Sequence, residues 1–169
     1  HMAAWSAQGR SRGVALFWRR EVDVTLQPYG WRHVDVDVTE GDGRIWRLIG
    51  VYGESAAERK VQTWKTLRLL GQQHQSGRPW LCLGDFNEIL AWDEKVGGAD
   101  RPQRLLDNFR EALEACDLSD IGFEGDKFTW RNHSKELSTY ICERLDRATA
   151  SKPWREKFLE HVVVNGMPR

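Results

Sequence analysis

The stretch Pro79–Leu90, PWLCLGDFNEIL, constrains the fold of this chain more than any other. Trp80 to Leu83 is an apolar run with the length and bounding turn residues of a buried strand, and it stops abruptly at Gly84, Asp85, Phe86 and Asn87. A carboxylate and an amide therefore stand where a strand leaves the core. In a layered α/β arrangement, groups delivered at a strand's carboxyl end face the crevice where ligands bind. Two residues apart on locally extended chain, Asp85 and Asn87 project to one side. There they can share a metal ion, a water or a phosphate oxygen, which suits phosphoryl chemistry.

Around this stretch the chain alternates sheet and helix. Residues 13–18 form an apolar run of strand type. Val22, Val24 and Leu26 alternate with polar neighbours, and so do Val34, Val36 and Val38, the period of half-buried strands. Gly41, Asp42 and Gly43 predict a hairpin turn into a strand over 45–52. Ser55 with Glu58 predicts a capping box for a helix to about Gln75, with Val61, Trp64, Leu67 and Leu70 inward and Leu69 at the margin. Pro102 opens a second helix to about Asp117, buried through Leu106, Phe109, Leu113 and Cys116. Residues 91–101 read as a polar, Gly-rich loop able to order on binding, and Glu124-Gly125-Asp126 as a tight turn. Residues 140–148 read as a strand, Ser151 as the cap of a short helix and 161–164 as a last strand. The pattern predicts an α+β layered sandwich, mainly antiparallel sheets face to face with outer helices.

The 169 residues contain no apolar run long enough to span a membrane and no low-complexity block, which predicts one soluble domain with no membrane role. His1-Met2 reads as a tag remnant and residues 3–12 as a flexible lead-in, which leaves the domain itself over 13–169. With 25 basic and 25 acidic side chains the formal charge is zero, which argues against a strongly basic nucleic-acid binder and leaves room for a local patch. Cys82, Cys116 and Cys142 are odd in number and lack zinc-site spacing. They predict buried free thiols and an intracellular protein, of nucleus or cytoplasm.

GDFN after an apolar strand resembles the signature of the endonuclease/exonuclease/phosphatase superfamily, the DNase I-like nucleases and phosphatases that need magnesium. Three further stretches fall in that family's order: GVALFW (13–18), VYGE (51–54), and FTWRN through ERLDR (128–147). The wording of GVALFWRR, WLCLGDFNEIL, EKVGG, DKFTWRN and ERLDRA is most similar to the endonuclease domain of plant LINE-type retrotransposons. The resemblance implies a partial four-layer α/β/β/α sandwich. It also implies a magnesium ion that polarises the phosphate while fixed side chains orient an attacking water. On this resemblance Asp85 is the carboxylate that orients or deprotonates the water, and Asn87 its partner at the scissile phosphate. Tyr52 is the phenol that approaches the phosphate, and Asp146 the acid that holds a catalytic His in its tautomer.

Each of these residues also has a plain structural reading. Asp85 can cap a turn over Asn87 to Leu90, Asn87 can be a turn residue, Tyr52 a strand aromatic, and Asp146 an ion-pair partner of Arg144 or Arg147. The chain also departs from the family's pattern. The strands that carry an Asn and the metal-binding Glu normally precede the GVALFW-like strand, and a Ser-Asp-His strand normally follows the last helix; neither is legible here. The expectation is therefore an incomplete domain that has lost hydrolysis and acts through binding, or through self-association as a homo-oligomer at exposed sheet edges. The alternative is a magnesium-dependent endonuclease or phosphodiesterase, with residual activity or completed from outside this chain.

Glu54, together with Asp85 and Asn87, offers a weak magnesium site, and Glu88 is a further acid nearby. His133 reads as solvated and His161 as a strand-edge residue. For nucleic acid, Trp130 beside Arg131, His133 and Lys135 can stack on a base while the charges meet phosphates. Lys95, Arg101 and Arg104 flank the polar loop, and Arg10, Arg12, Arg19 and Arg20 cluster near the start. A solvated, charge-balanced surface is the plain alternative.

Overall fold

The computed structural model describes residues 1–4, 13–28, 30–73 and 77–166. In chain order the strands are β1 (Met2–Ala4), β2 (Ala15–Phe17), β3 (Asp23–Leu26), β4 (His33–Thr39), β5 (Ile45–Tyr52), β6 (Trp80–Asp85), β7 (Lys95–Val96), β8 (Leu118–Asp120), β9 (Glu124–Gly125), β10 (Trp130–Arg131), β11 (Cys142–Glu143), β12 (Asp146–Ser151) and β13 (Val164–Asn165). The helices are α1 (Lys60–Gln72), α2 (Gln103–Glu114) and α3 (Lys152–Lys157). Six strands make the central sheet in the order β3-β4-β5-β6-β12-β8. Within it β5 and β6 run parallel and all other neighbours antiparallel.

The two-residue alternation of each strand sorts side chains between two cores. Ile49, Val51, Trp80 and Cys82 face α1 and α2, where Trp64 stacks on Phe109 with ring centroids 4.6 Å apart. The opposite face carries Leu81, Ala148 and Ala150 under Trp154 of α3, and Val34, Val36 and Val38 under Val14 and Leu16. A layer of helices, the six-stranded sheet and a shorter layer built from β2 and α3 thus stack as an α+β sandwich. The three cysteines are free and buried, and burial pushes the Cys116 thiol up to about 11.

Several local expectations are corrected. Met2–Ala4 is not part of an irregular lead-in but pairs with Phe17–Ala15, while residues 5–12, with Arg10 and Arg12, lie outside the described residues. The Ser55/Glu58 capping box does not form. The helix begins at Lys60, with no side-chain cap on Arg59, and closes at Gln72; Gln75 lies outside the described residues. Val61 is exposed on α1, and a lysine, Lys60, is buried in its stead because it has an ionic partner. Within α1, Gly71 makes room for Cys116, whose Sγ would stand 2.9 Å from a Cβ there. The strand expected over 140–148 is two pieces, β11 and β12, separated by Arg144 and Leu145. Glu124–Gly125 is not a turn but a strand paired in parallel with Val164–Asn165. Ser151 does not cap α3 through its side chain; its Oγ accepts the Trp80 N–H at 3.0 Å.

Candidate phosphate-binding site

The organising stretch is delivered to the surface by a glycine that nothing else can replace. Gly84 adopts a φ of +139°, and a Cβ there would lie 2.1 Å from the Val51 carbonyl oxygen. The close approach lets β5 and β6 stay paired to their last residues, Tyr52 opposite Asp85. On the other side of β6, Asp85 is opposite Asp146, the first residue of β12. Residues opposite one another in a ladder point to the same face. Since Val51 and Cys82 face the helices, Tyr52, Asp85 and Asp146 form a row on the opposite face, at the end where β5 and β6 finish.

Phe86 then turns into the core, fully buried, and Asn87 takes a left-handed φ of +53°. Three hydrogen bonds fix this geometry. The Asn87 N–H donates to Asp85 Oδ1 at 2.8 Å, Asn87 Nδ2 donates to the Gly53 carbonyl at 2.9 Å, and the Gly53 N–H donates to the Asp85 carbonyl at 2.6 Å. The capping reading of Asp85 is thus met in part, by a bond across a bend and not by a helical turn. On the far side, Thr129 Oγ1 accepts the N–H groups of Leu145 and Asp146 at 3.0 and 2.9 Å, which ties the FTWRN stretch to the row.

Behind the row stands a frame of buried charges. Lys60 Nζ donates to the Asn87 carbonyl and, at 2.8 Å, to Glu88 Oε2, both side chains being almost wholly inaccessible. Burial pushes the Lys60 ammonium pKa down, against the pull of Glu88. Glu88 also faces Arg101 at 3.5 Å, and Arg101 and Lys95 share Glu143 at 2.6 and 2.8 Å. Arg147, fully buried, bridges Glu94 and Asp120 beside Arg144. Burial would raise the carboxyl pKa of Glu94, but the Arg147 contacts outweigh it and hold that group below its usual range. The frame anchors residues 91–101 through Glu94, Lys95 and Arg101, and this stretch contains a 3-10 turn over Trp92–Glu94 and β7.

Residues 1–166 match the model of the Endonuclease/Exonuclease/phosphatase family. The chain belongs to this family. Among solved structures it is similar to the endonuclease domain of TRAS1, a telomere-specific non-LTR retrotransposon, with TM-score 0.67 and 16% identity over 89% of this chain and 67% of that one. It also matches truncated Caenorhabditis elegans TDP2, with TM-score 0.49 and 18% identity over 82% of this chain and 57% of that one. At 16% identity the likeness to the TRAS1 domain is one of fold. Among curated proteins none matches the chain.

Members of the family are nucleases and phosphatases that generally use a divalent metal, so the donor set is the next question. Asp85 and Asp146 give two carboxylates on one face, the number magnesium takes from a protein when substrate phosphates supply further ligands. Glu54, expected as a third donor, is engaged instead by Arg32 Nε at 2.8 Å and Arg59 Nε at 3.4 Å. Among the described residues no group of three or more His, Cys, Asp or Glu gathers. The set therefore fits a cation shared with a phosphate and not a dedicated cage. His133 stands exposed with a left-handed φ of +58°, and His161 packs edge-on against Trp154 with its Nδ1 2.5 Å from the Phe158 carbonyl.

The nucleic-acid residues separate into two groups. Trp130 is exposed next to Thr129, and Arg104 is exposed on α2, in the helix layer away from the row. Lys95 and Arg101 are committed to Glu143 and largely buried, so these two charges are spent inside the protein, whereas Arg131 pairs with Asp126 at 2.6 Å and stays about a third exposed. Sequence reasoning overlooked Lys60, whose position in a helical stripe gave no hint of burial, and Arg32, which lies in a turn remote from every motif. The Arg32 guanidinium stands 5.5 Å from the Tyr52 ring centroid and donates to the Gly53 carbonyl at 3.3 Å.

Proposed function

We propose that this domain engages nucleic-acid phosphodiesters through Tyr52, Asp85, Asn87 and Asp146, and that acting alone it binds them without cleaving. The observation that carries this reading is the pairing of Glu54 with Arg32 and Arg59, which takes that acid from the donor set and leaves Asp85 and Asp146 as the two carboxylates of the row. Nucleic acid is the substrate class because the chain's motifs resemble LINE-type endonucleases and its fold is like that of the TRAS1 endonuclease domain. Magnesium, when bound, would neutralise charge on the phosphoryl oxygens. Asp85 and Asp146 would hold it, Asn87 would orient the phosphate and Tyr52 would lie against it.

The second reading is a magnesium-dependent phosphodiesterase completed by groups outside the described residues, and the in-register row favours it. A plasmid-nicking assay in magnesium or manganese separates the two. The expected result is equal, background-level nicking by the wild type and by Asp85→Ala. Nicking that Asp85→Ala abolishes would overturn the non-cleaving reading in favour of the second.

Self-association is part of the proposal. Strands β3 and β8 form the edges of the central sheet, and Phe17, Val162 and Val164 are exposed apolar groups on other strands or near them. Open edges and apolar surface are what a second copy would cover. Light scattering after size exclusion should give at least twice the chain mass at micromolar concentration; a clean monomer would contradict it.

A further inference from the structure

Gly30 and His33 close a tight turn at the start of β4. The N–H of Gly30 donates to the His33 carbonyl at 3.2 Å, leaving Trp31 and Arg32 at its tip. The tip is laid against the site, because the Arg32 carbonyl accepts the N–H of Tyr52 at 2.8 Å. Arg32 is thus the next position in the row, before Tyr52, Asp85 and Asp146. Its guanidinium shares Glu54 with Arg59, so one carboxylate answers two cations. Five N–H donors on a guanidinium exceed the two hydrogen-bonding partners, Glu54 and Gly53, that Arg32 has among the described residues. Trp31 beside it is 66% exposed, an unusual position for so large an apolar ring.

We infer that Trp31 and Arg32 form a flanking subsite for a nucleic-acid strand, Arg32 pairing with a phosphate and Trp31 stacking on an adjacent base. The inference rests on the phosphodiester-binding reading above. Two strand spacings separate Arg32 from Asp85, roughly 10 Å at ~4.8 Å each. That distance is about three nucleotides of rise at ~3.4 Å per nucleotide, so a strand laid along the sheet end meets Arg32 about three nucleotides from the phosphate at Asp85. An arginine with a spare donor edge and a solvated aromatic ring is the combination that binds a strand without reading its sequence.

The test is fluorescence anisotropy of labelled duplex and single-stranded oligonucleotides titrated with the protein over a range of salt. For the wild type, log affinity should fall linearly with log salt. Arg32→Gln should weaken duplex binding severalfold at low salt and make the slope shallower by ~0.9, the contribution of one phosphate contact, while Arg32→Lys restores most of it. Glu54→Gln should act in the opposite sense, tightening binding by releasing the guanidiniums, an effect that a purely structural salt bridge would not give. Trp31→Ala should weaken single-strand binding about fivefold or more with the slope unchanged. Wild-type binding with slope and affinity unmoved in Arg32→Gln, Glu54→Gln and Trp31→Ala would overturn the subsite and leave the phosphodiester reading standing. Failure of the wild type to bind either oligonucleotide at low salt would overturn both.

Discussion

Lys60→Met should lower the unfolding free energy by about 3–5 kcal/mol, because it leaves the Glu88 carboxylate buried with its main counter-charge gone. Against a total stability of ~5–15 kcal/mol for a typical domain, the loss is large enough to shift a urea midpoint well clear of error. The neighbouring Arg101, 3.5 Å from Glu88, remains as a second counter-charge but is already shared with Glu143, which places the expected loss toward the lower end of that range. The double change Lys60→Met with Glu88→Leu should recover most of the loss, since an apolar pair of similar size often replaces a buried ion pair without cost. If the double variant is no more stable than Lys60→Met alone, packing rather than charge explains the effect. The pair also bears on the proposed function, because Lys60 holds the Asn87 carbonyl and so the backbone that follows Asp85.

The second large effect is expected at Gly84. Alanine there brings a Cβ to 2.1 Å from the Val51 carbonyl at a φ of +139°, combining backbone strain with an overpacked ladder. Costs of ~1–3 kcal/mol for each contribution suggest a total of about 2–6 kcal/mol by equilibrium denaturation. Gly43→Ala is the matched control. Its φ is +80°, but nothing lies within 4 Å of the added Cβ, so only strain is incurred and a loss of ~1 kcal/mol is expected. Equal losses at the two glycines would mean that the approach of β5 to β6 is looser than the geometry requires. A large loss at Gly84 alone would tie the register of Tyr52 and Asp85 to that one residue.

Much of the fold was legible because local signals agreed with burial. The alternating valines gave β3 and β4, the Gly41–Gly43 turn joined β4 to β5, and the Leu106, Phe109, Leu113 stripe gave α2. Tyr52, Asp85 and Asp146 stand in one row through two registers of one sheet, and the Asn87 N–H is bonded to Asp85. The failures share a cause. Glu54, Lys95 and Arg101 were read as isolated charges near motifs, yet each is neutralised by a partner distant in sequence: Arg32 for Glu54, and Glu143 for the two cations. Pairing across 22 to 48 residues leaves no periodic or spacing signal, so a lone sequence cannot distinguish a spent charge from a presented one. Lys60 is the sharpest case, a lysine buried one residue before the Val61 that helical periodicity placed inward.

The central claim is that Asp85 and Asp146 act as one phosphate-facing unit, and a double-mutant cycle on duplex affinity with and without magnesium tests it most directly. If the two carboxylates share one cation with the phosphate, magnesium should strengthen binding by the wild type, and Asp85→Ala and Asp146→Ala should each remove most of that gain. The double variant should then be no worse than either single one, a departure from additivity of about 0.5–3 kcal/mol. Additive losses, or a magnesium effect that is the same in all four proteins, would contradict the account.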